Sequence, residues 1–462
     1  VQHAPGGSFP SVPSAPAITS KPQSKPPASL PADPPLTTLE SEIREHESRN
    51  LLALAAHQVI LRVGWIFKVE SVIIPTFVDA IAGPAWVRGW LPFLNRTGQT
   101  AAPFIYSHML SSARLKSRSL IVSSMLLSAP FFLLAGTWAA LGESRPFWLV
   151  PFFLVLYLVF FAAVGVNQMS FGAVQGKLIR PQRRGRLMSI SGLVGSVAAI
   201  TAAAIWLRPW LELPDHGFLY IFTTAASVFL AAGLMACFVY EPFGAVQEPR
   251  LWRPFRDAWD VVAHDASFRK MAIVAMMFSM AHLAFPHYQA LAKGELGRSS
   301  YDLFVWIVAQ NIGAGLFSAL SGMLADRLGN RFALRVLGFM AAGIPLLALG
   351  LSQLPPEEGR EYYWLVFLLL GLAPVIFRTQ SNYVLELAPQ EEHPRYLSTL
   401  NVCQSAPFLL SVPLGMAIDG FGYRVVFSLI ALSGLTAGLL TFWMDEPRHH
   451  SVVVEELPPD AP

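Results

Sequence analysis

The chain has 462 residues, 53% of them hydrophobic and only 14% charged, with a net charge of +3 and a mean hydropathy of +0.47. Soluble domains carry roughly 25% charged residues, so this composition excludes an ordinary soluble domain, and so small a net charge gives no footing for nucleic acid binding. Cys237 and Cys403 both lie inside apolar runs, which argues against a disulfide framework and a cysteine metal site.

Residues 1–50 are rich in Pro, Ser and Ala as far as Pro35, then charged through Glu40, Glu42, Arg44 and Glu47. Such a segment buries too little apolar surface to offset its ordering entropy, and it holds no apolar signal-peptide core. It reads as a disordered cytoplasmic tail ending in a short amphipathic helix. Apolar runs of membrane-crossing length, about 20 residues, follow at near-regular spacing. They predict helices over 58–82, 87–110, 119–141, 146–169, 187–207 and 217–240, then over 270–292, 301–324, 332–353, 362–384, 396–418 and 424–444. The implied organisation is a bundle over 51–242, a cytoplasmic linker over 243–268, a second bundle over 269–447 and a cytoplasmic tail over 448–462. The run 151–161, apolar all round, reads as lipid-facing bulk and not as a stacking box.

Loop charge orients the spans. With the N-terminus inside, the inner loops collect Arg114, Lys116 and Arg118, the Lys177–Arg186 cluster, and Arg327, Arg331 and Arg335. The outer loops hold few basic residues, among them Arg88, Arg145, Arg208, Lys293 and Arg298. This is the asymmetry of an even number of spans with both termini cytoplasmic.

The halves repeat. Arg114, Leu115 and Arg118 after the second helix match Arg327, Leu328 and Arg331 after the eighth. Arg186 and Ser189 match Arg395 and Ser398, Gln168 matches Gln380, and Glu241-Pro242 matches Glu446-Pro447 at nearly the same offset. Two six-helix halves of parallel topology facing each other across the membrane normal place a site between them at mid-depth.

Ionisable residues inside a membrane are costly and are functional candidates by default. The first helix carries Lys68 and Glu70, and the second Asn95, Arg96 and Gln99. On one continuous helix, residues two apart point in different directions, so Lys68 and Glu70 are not expected to pair. Glu70 and Arg96 reach similar depths at ~1.5 Å per residue. A Glu70–Arg96 pair is therefore expected, with Glu70 as the proton-coupling carboxylate and Lys68 as a rival partner. Further cavity candidates are His282 and His287 on the seventh helix, Gln310 and Asn311 on the eighth, Arg378 and Gln380 on the tenth, and Asn401 and Gln404 on the eleventh. The absence of a GxxxxGK[ST] loop argues against ATP drive, and the absence of HExxH and GxSxG argues against an intramembrane enzyme.

At "GMLADRLGNR", Gly322, Asp326, Arg327, Gly329 and Arg331 fill the places of a loop signature, and here the chain resembles the major facilitator superfamily. The first-half copy is degenerate, with Ala113 where Asp would stand and Lys116 for Gly, while "RRGR" before the fifth helix fits a common family pattern. The resemblance covers about residues 51–447. It implies an all-α polytopic membrane protein, with twelve transmembrane helices in two pseudo-symmetric six-helix bundles. It further implies a secondary active transporter of the inner membrane, working by alternating access on a small polar or anionic solute. Protons are the candidate coupling ion; no cofactor, metal or enzymatic activity is expected, and the protein is expected to be monomeric. A multidrug efflux carrier of the same fold is the alternative, or a transporter-like sensor or assembly protein using the N-terminal tail as its interaction arm. Asp326 is expected to cap a neighbouring helix or pair with a guanidinium, steadying one closed state. Arg327 and Arg331, four apart, are expected to project from one side towards lipid phosphates or acidic partners, and Gly329 to permit the turn between helices.

Overall fold

The computed structural model describes residues 38–446, apart from 83, 114, 143, 214–216, 243–253, 298 and 390–391. Most of the N-terminal tail, Arg114, Arg298, the first part of the linker and the C-terminal tail therefore lie outside the described residues. Those described are helical almost throughout, with no strand among them.

The first helix, α1, runs over Thr38–Ile66, and α2 over Ile73–Ile81. The expected 58–82 span is thus interrupted at residues 67–72. Pro75 explains the break: it lacks an N–H and its ring would clash with the carbonyl of residue 71 in a continuous helix. Val69 answers by accepting from the backbone N–H groups of Val72, Ile73 and Ile74. At the other end, the expected tail boundary moves. Residues 38–50 are continuous with the first span and docked, with Glu47 2% exposed and Asn50 fully buried. Glu47 accepts from the backbone N–H and the guanidinium of Arg180 and pairs with Arg183 at 3.2 Å. Burial alone would raise the Glu47 carboxyl pKa, but the Arg180 bonds and the charges of Arg180 and Arg183 outweigh it and hold it below the usual range. Asn50 binds both the N–H and the C=O of Tyr240.

The first half continues as α3 (Ala85–Ser112), α4 (Lys116–Leu126), α5 (Ser128–Leu141) and α6 (Leu149–Leu178). Next come α7 (Pro181–Ala202), a π turn at Ala203–Leu207, α8 (Arg208–Leu211) and α9 (Gly217–Ala236). Within 151–161, Phe153, Tyr157, Phe160 and Phe161 are buried, which overturns the lipid-facing reading of that run. They join Phe77, Phe131, Phe222 and Phe229 in edge-to-face and tilted contacts, a geometry that aromatic quadrupoles favour. Periodicity could not show this, because a run apolar on every side does not say which side meets protein.

A linker helix, α10 (Pro254–His264), leads to α11 (Ala266–His282), capped by Asp265, whose side chain also accepts from Tyr396. A short turn at Phe285–His287 separates α11 from α12 (Tyr288–Glu295), echoing the α1–α2 break. Then follow α13 (Ser300–Leu328), α14 (Asn330–Ser352), α15 (Pro356–Tyr362), α16 (Trp364–Leu370), α17 (Leu372–Leu387), α18 (His393–Ser405) and α19 (Ser411–Leu440). Helix stands at every one of the predicted span positions. Nine segments among the described residues are long and apolar enough to cross a membrane. The last of these, 46 residues over Arg395–Leu440, is long enough for two crossings and folds at Gly422, where φ is +79°. α1 and α3, at 29 and 28 residues, are long enough but too polar to be among them.

The signature loop resolves differently from its linear reading. Gly329, at φ +86°, ends α13 and starts α14, so Arg327 and Arg331 lie on different helices and do not share a face. Arg331 donates to the carbonyls of Thr441 and Phe442 at the end of α19, satisfying acceptors that a helix C-terminus leaves open. Gly322, Asp326 and Arg327 are exposed, and the carboxylate beside Gly329 is that of Glu446. Its repeat mate Glu241 accepts from the backbone N–H of Ser117 at the start of α4 and pairs with Lys177 at 2.7 Å. The repeated Glu-Pro thus sets a carboxylate near a helix start in both halves, but Glu241 caps α4 whereas the buried Oε1 of Glu446 beside Gly329 makes no hydrogen bond among the described residues.

Candidate functional site

The halves meet through α3 and the first part of α19. Gly89 and Gly415 make this approach possible: a Cβ on Gly89 would stand 2.5 Å from the Ser411 carbonyl oxygen, and one on Gly415 2.7 Å from that of Ala85. Polar bonds across the seam concentrate near the α2–α3 turn. Asp419 accepts from the backbone N–H groups of Ala85 and Trp86 at 2.9 and 3.0 Å, capping α3 from the other half. Asp79 pairs with Arg88 and also receives Gln289 at 2.8 Å and Lys293 at 3.5 Å from α12. Arg88 reaches Tyr423, and Ser71 donates to Gln310.

Beneath this closed end lies a cavity of about 290 Å³, near the lower edge of the ~300–1,000 Å³ that holds drug-sized ligands. Glu70, Asn95, Arg96, Gln99, Tyr157 and His282 line it, with Phe285, Phe377, Phe408 and several prolines.

The expected Glu70–Arg96 pair does not form. Glu70 pairs with Lys68 at 2.6 Å, and also receives Asn95 and, at 3.4 Å, the Tyr157 hydroxyl. Gln99 donates to Asn95 in turn. On a continuous helix Lys68 and Glu70 would diverge, but both sit in the 67–72 interruption, where side chains two apart can converge. Lys68 is fully buried, and its ammonium lies 3.6 Å from the Trp65 ring centroid, 4.3 Å from Phe161 and 4.8 Å from Phe160. These rings, together with Glu70, make tolerable a cation that bare hydrocarbon would reject.

Arg96 has no carboxylate partner among the described residues. Its Nη2 donates to Gln404 at 3.1 Å, Gln404 donates onward to Gln380 at 2.7 Å, and the buried Nε has no partner. The guanidinium lies over the rings of Phe377 and Phe408, 4.8 and 5.4 Å from their centroids.

Of the other sequence candidates, His282 joins this cluster, its ring 4.7 Å from that of Phe377, and the rest fall apart from it. His282 lines the cavity and donates through Nδ1 to the Phe278 carbonyl at 2.9 Å. His287 is fully buried at the α11–α12 turn, Asn311 bonds the Ile307 carbonyl of its own helix, and Asn401 is exposed. Gln310 belongs to the seam with Ser71. Arg378 is exposed, donates to Ser318 and lies close enough to the exposed Arg62 to repel it. Tyr157 and the two clamping phenylalanines were missed, since single aromatic residues inside apolar runs carry no local signal.

The family model of the Major Facilitator Superfamily matches residues 71–377 and 295–459. Among curated proteins, the cis,cis-muconate transport protein of Acinetobacter baylyi (strain ATCC 33305 / BD413 / ADP1) is 27% identical over 190 residues. That match spans 38% of this chain and 45% of the relative, so less than half of the relative's length is matched. Among solved structures, the nucleoside transporter NupG superposes with TM-score 0.63 at 12% identity, covering 85% of this chain and 98% of that one. The D-xylose-proton symporter gives 0.59 at 15% identity, covering 88% and 99%. A bacterial homologue of the iron transporter ferroportin gives 0.64 at 14% identity, covering 86% and 98%. At these identities the structures speak for the fold alone, and the family model, matched over most of the length, identifies the protein: this chain belongs to the Major Facilitator Superfamily.

Proposed function

We propose that the chain is a secondary active transporter of twelve spans that carries a small anionic solute by alternating access, driven by protons. The observation that carries the anionic reading is Arg96: a buried guanidinium lining the inter-half cavity, with only an amide to answer it. A buried cation without a counter-charge is costly, and an anionic solute supplies the missing charge at the moment of binding. Exposed Arg62 and Arg378 add positive potential nearby, which raises the local concentration of anions. The name of the Acinetobacter relative points the same way.

With both termini cytoplasmic, the α2–α3 turn faces outward, and the seam of Asp419, Asp79 and Arg88 is a closed outer gate. Glu70 is the cavity's carboxylate and the coupling residue in this reading, with Lys68 as its ion-pair partner at 2.6 Å. Purified protein in proteoliposomes, acidic outside, tests the reading with a panel of labelled organic anions and with glucose and uridine as neutral controls. Accumulation of an anion, abolished by a protonophore, is expected. Accumulation of a neutral solute with no anion transported overturns it.

A further inference from the structure

The cavity has two unlike faces. The first half contributes the chain of polar groups from Gln99 through Asn95 to Glu70, whose hydrogen bonds are already made within the protein. The second half presents mostly carbon, the rings of Phe285, Phe377 and Phe408 with Pro286 and Pro374, and one imidazole, His282, whose Nδ1 is held by the Phe278 carbonyl. A sugar-like ligand, hydroxylated on every side, would bury most of its hydroxyls against phenyl and proline surface, with His282 Nε2 alone to meet them on that face, which is unfavourable.

Arg96 stands where the faces meet, and its geometry restricts the ligand further. A guanidinium offers five donors in one plane, and here one is used by Gln404 while the buried Nε is open. A carboxylate binds such a fork through parallel bonds lying in that plane. The guanidinium carbon already lies 4.8 and 5.4 Å from the ring centroids of Phe377 and Phe408, so a carboxylate on Arg96 is held beside phenyl surface. A carboxylate conjugated to a flat body keeps that body in the carboxylate plane, a slab that can make ring contacts with the phenyl groups lining the cavity. A saturated body of equal size leaves the plane and forfeits those contacts, which costs roughly three- to tenfold in affinity. The charge balance sets the valence: Lys68 neutralises Glu70 at 2.6 Å, leaving Arg96 as the unanswered charge among the cavity-lining groups.

Resting on the anionic reading above, we infer that the cargo is a flat, conjugated monocarboxylate of the aromatic-acid class, its carboxylate on Arg96 and its ring over Phe377 and Phe408.

The test is equilibrium binding of labelled benzoate to the purified full chain in lipid nanodiscs, with cyclohexanecarboxylate, benzamide and uridine as competitors. Benzoate should bind roughly three- to tenfold more tightly than cyclohexanecarboxylate, and benzamide should not compete. Phe377→Leu, which also removes a ring beside the Arg96 guanidinium, should weaken both acids but benzoate more, bringing their affinity ratio towards one, and Phe408→Leu serves if the first variant is not monodisperse. Arg96→Lys, which keeps the charge but loses the fork, should weaken both acids about tenfold or more. Equal affinity for the two acids, or equal loss of both on Phe377→Leu, overturns the planar cargo and leaves an anion carrier standing. Competition by benzamide or uridine as strong as by benzoate, or no binding of either acid, overturns the anionic reading together with it.

Discussion

Replacing Asp419 by Ala should loosen the outer gate by a measurable amount. The Asp419 carboxylate makes two bonds of 2.9 and 3.0 Å to the first N–H groups of α3, which belongs to the other half. Both donors are otherwise orphans of a helix start, so separating the halves on this side exchanges a charge-assisted cap for water. Loss of an N-cap side chain costs about 0.5–2 kcal/mol, and bonds to a charged partner are worth about 1.5–3 kcal/mol where water is excluded. Trp86 lies at the exposed rim, so the lower part of these ranges applies, about 1–2 kcal/mol. That moves the ratio of outward-closed to outward-open molecules by about five- to thirtyfold. The assay is the rate at which a membrane-impermeant maleimide, added from outside, labels Leu91→Cys in a background with Cys237 and Cys403 replaced by Ser. Leu91 lines the cavity and is 2% exposed, so it reports opening. Gly415→Val should accelerate labelling in the same direction by sterics alone, because its side chain would meet the Ala85 carbonyl oxygen. Unchanged labelling in Asp419→Ala, with Gly415→Val faster in the same preparation, would refute the latch.

Other outcomes follow from the same geometry. Glu70→Gln alone should lower stability by about 3–5 kcal/mol, since it strands the buried Lys68 charge. The Lys68→Met/Glu70→Gln double variant should recover the melting temperature yet lose pH-driven uptake; a double variant that still accumulates solute against its gradient refutes the coupling role. For Glu47 the folded carboxyl pKa lies below its ordinary value, so its contribution is present above the unfolded pKa and is lost as pH falls through the folded one. The parent's melting temperature should therefore drop from about pH 5 downward, whereas Glu47→Gln should start lower at pH 7 and show a shallower decline, as differential scanning fluorimetry would read. Gly313→Ala places a Cβ 1.9 Å from the Leu368 carbonyl oxygen, so overpacking between α13 and α16 should destabilise by about 1–3 kcal/mol, measurable in the same scan.

Composition and hydropathy alone decided the class of molecule and the positions of its helices, and matched residue landmarks such as Glu241-Pro242 and Glu446-Pro447 marked its repeat. A run of about 20 apolar residues seeks hydrocarbon whatever its neighbours do, and a duplicated half keeps its landmarks at one offset, so both are local or self-referring properties. Gly329 likewise marked its turn without help, because the break it permits depends on its own backbone. The pairing of charges was a different matter. Glu70 was assigned Arg96 on helical depth, but Pro75 interrupts the helix, and the partner became Lys68 in the resulting turn. The site around that pair is likewise not readable in the chain order: Phe160 and Phe161, which help to hold Lys68, lie on α6, and Phe377 and Phe408, which face Arg96, lie in the other half. An apolar residue looks the same in a sequence whether it meets lipid, a helix or a buried cation. Only tertiary packing assigns those neighbours, and in this protein they select which charge is left open for a ligand.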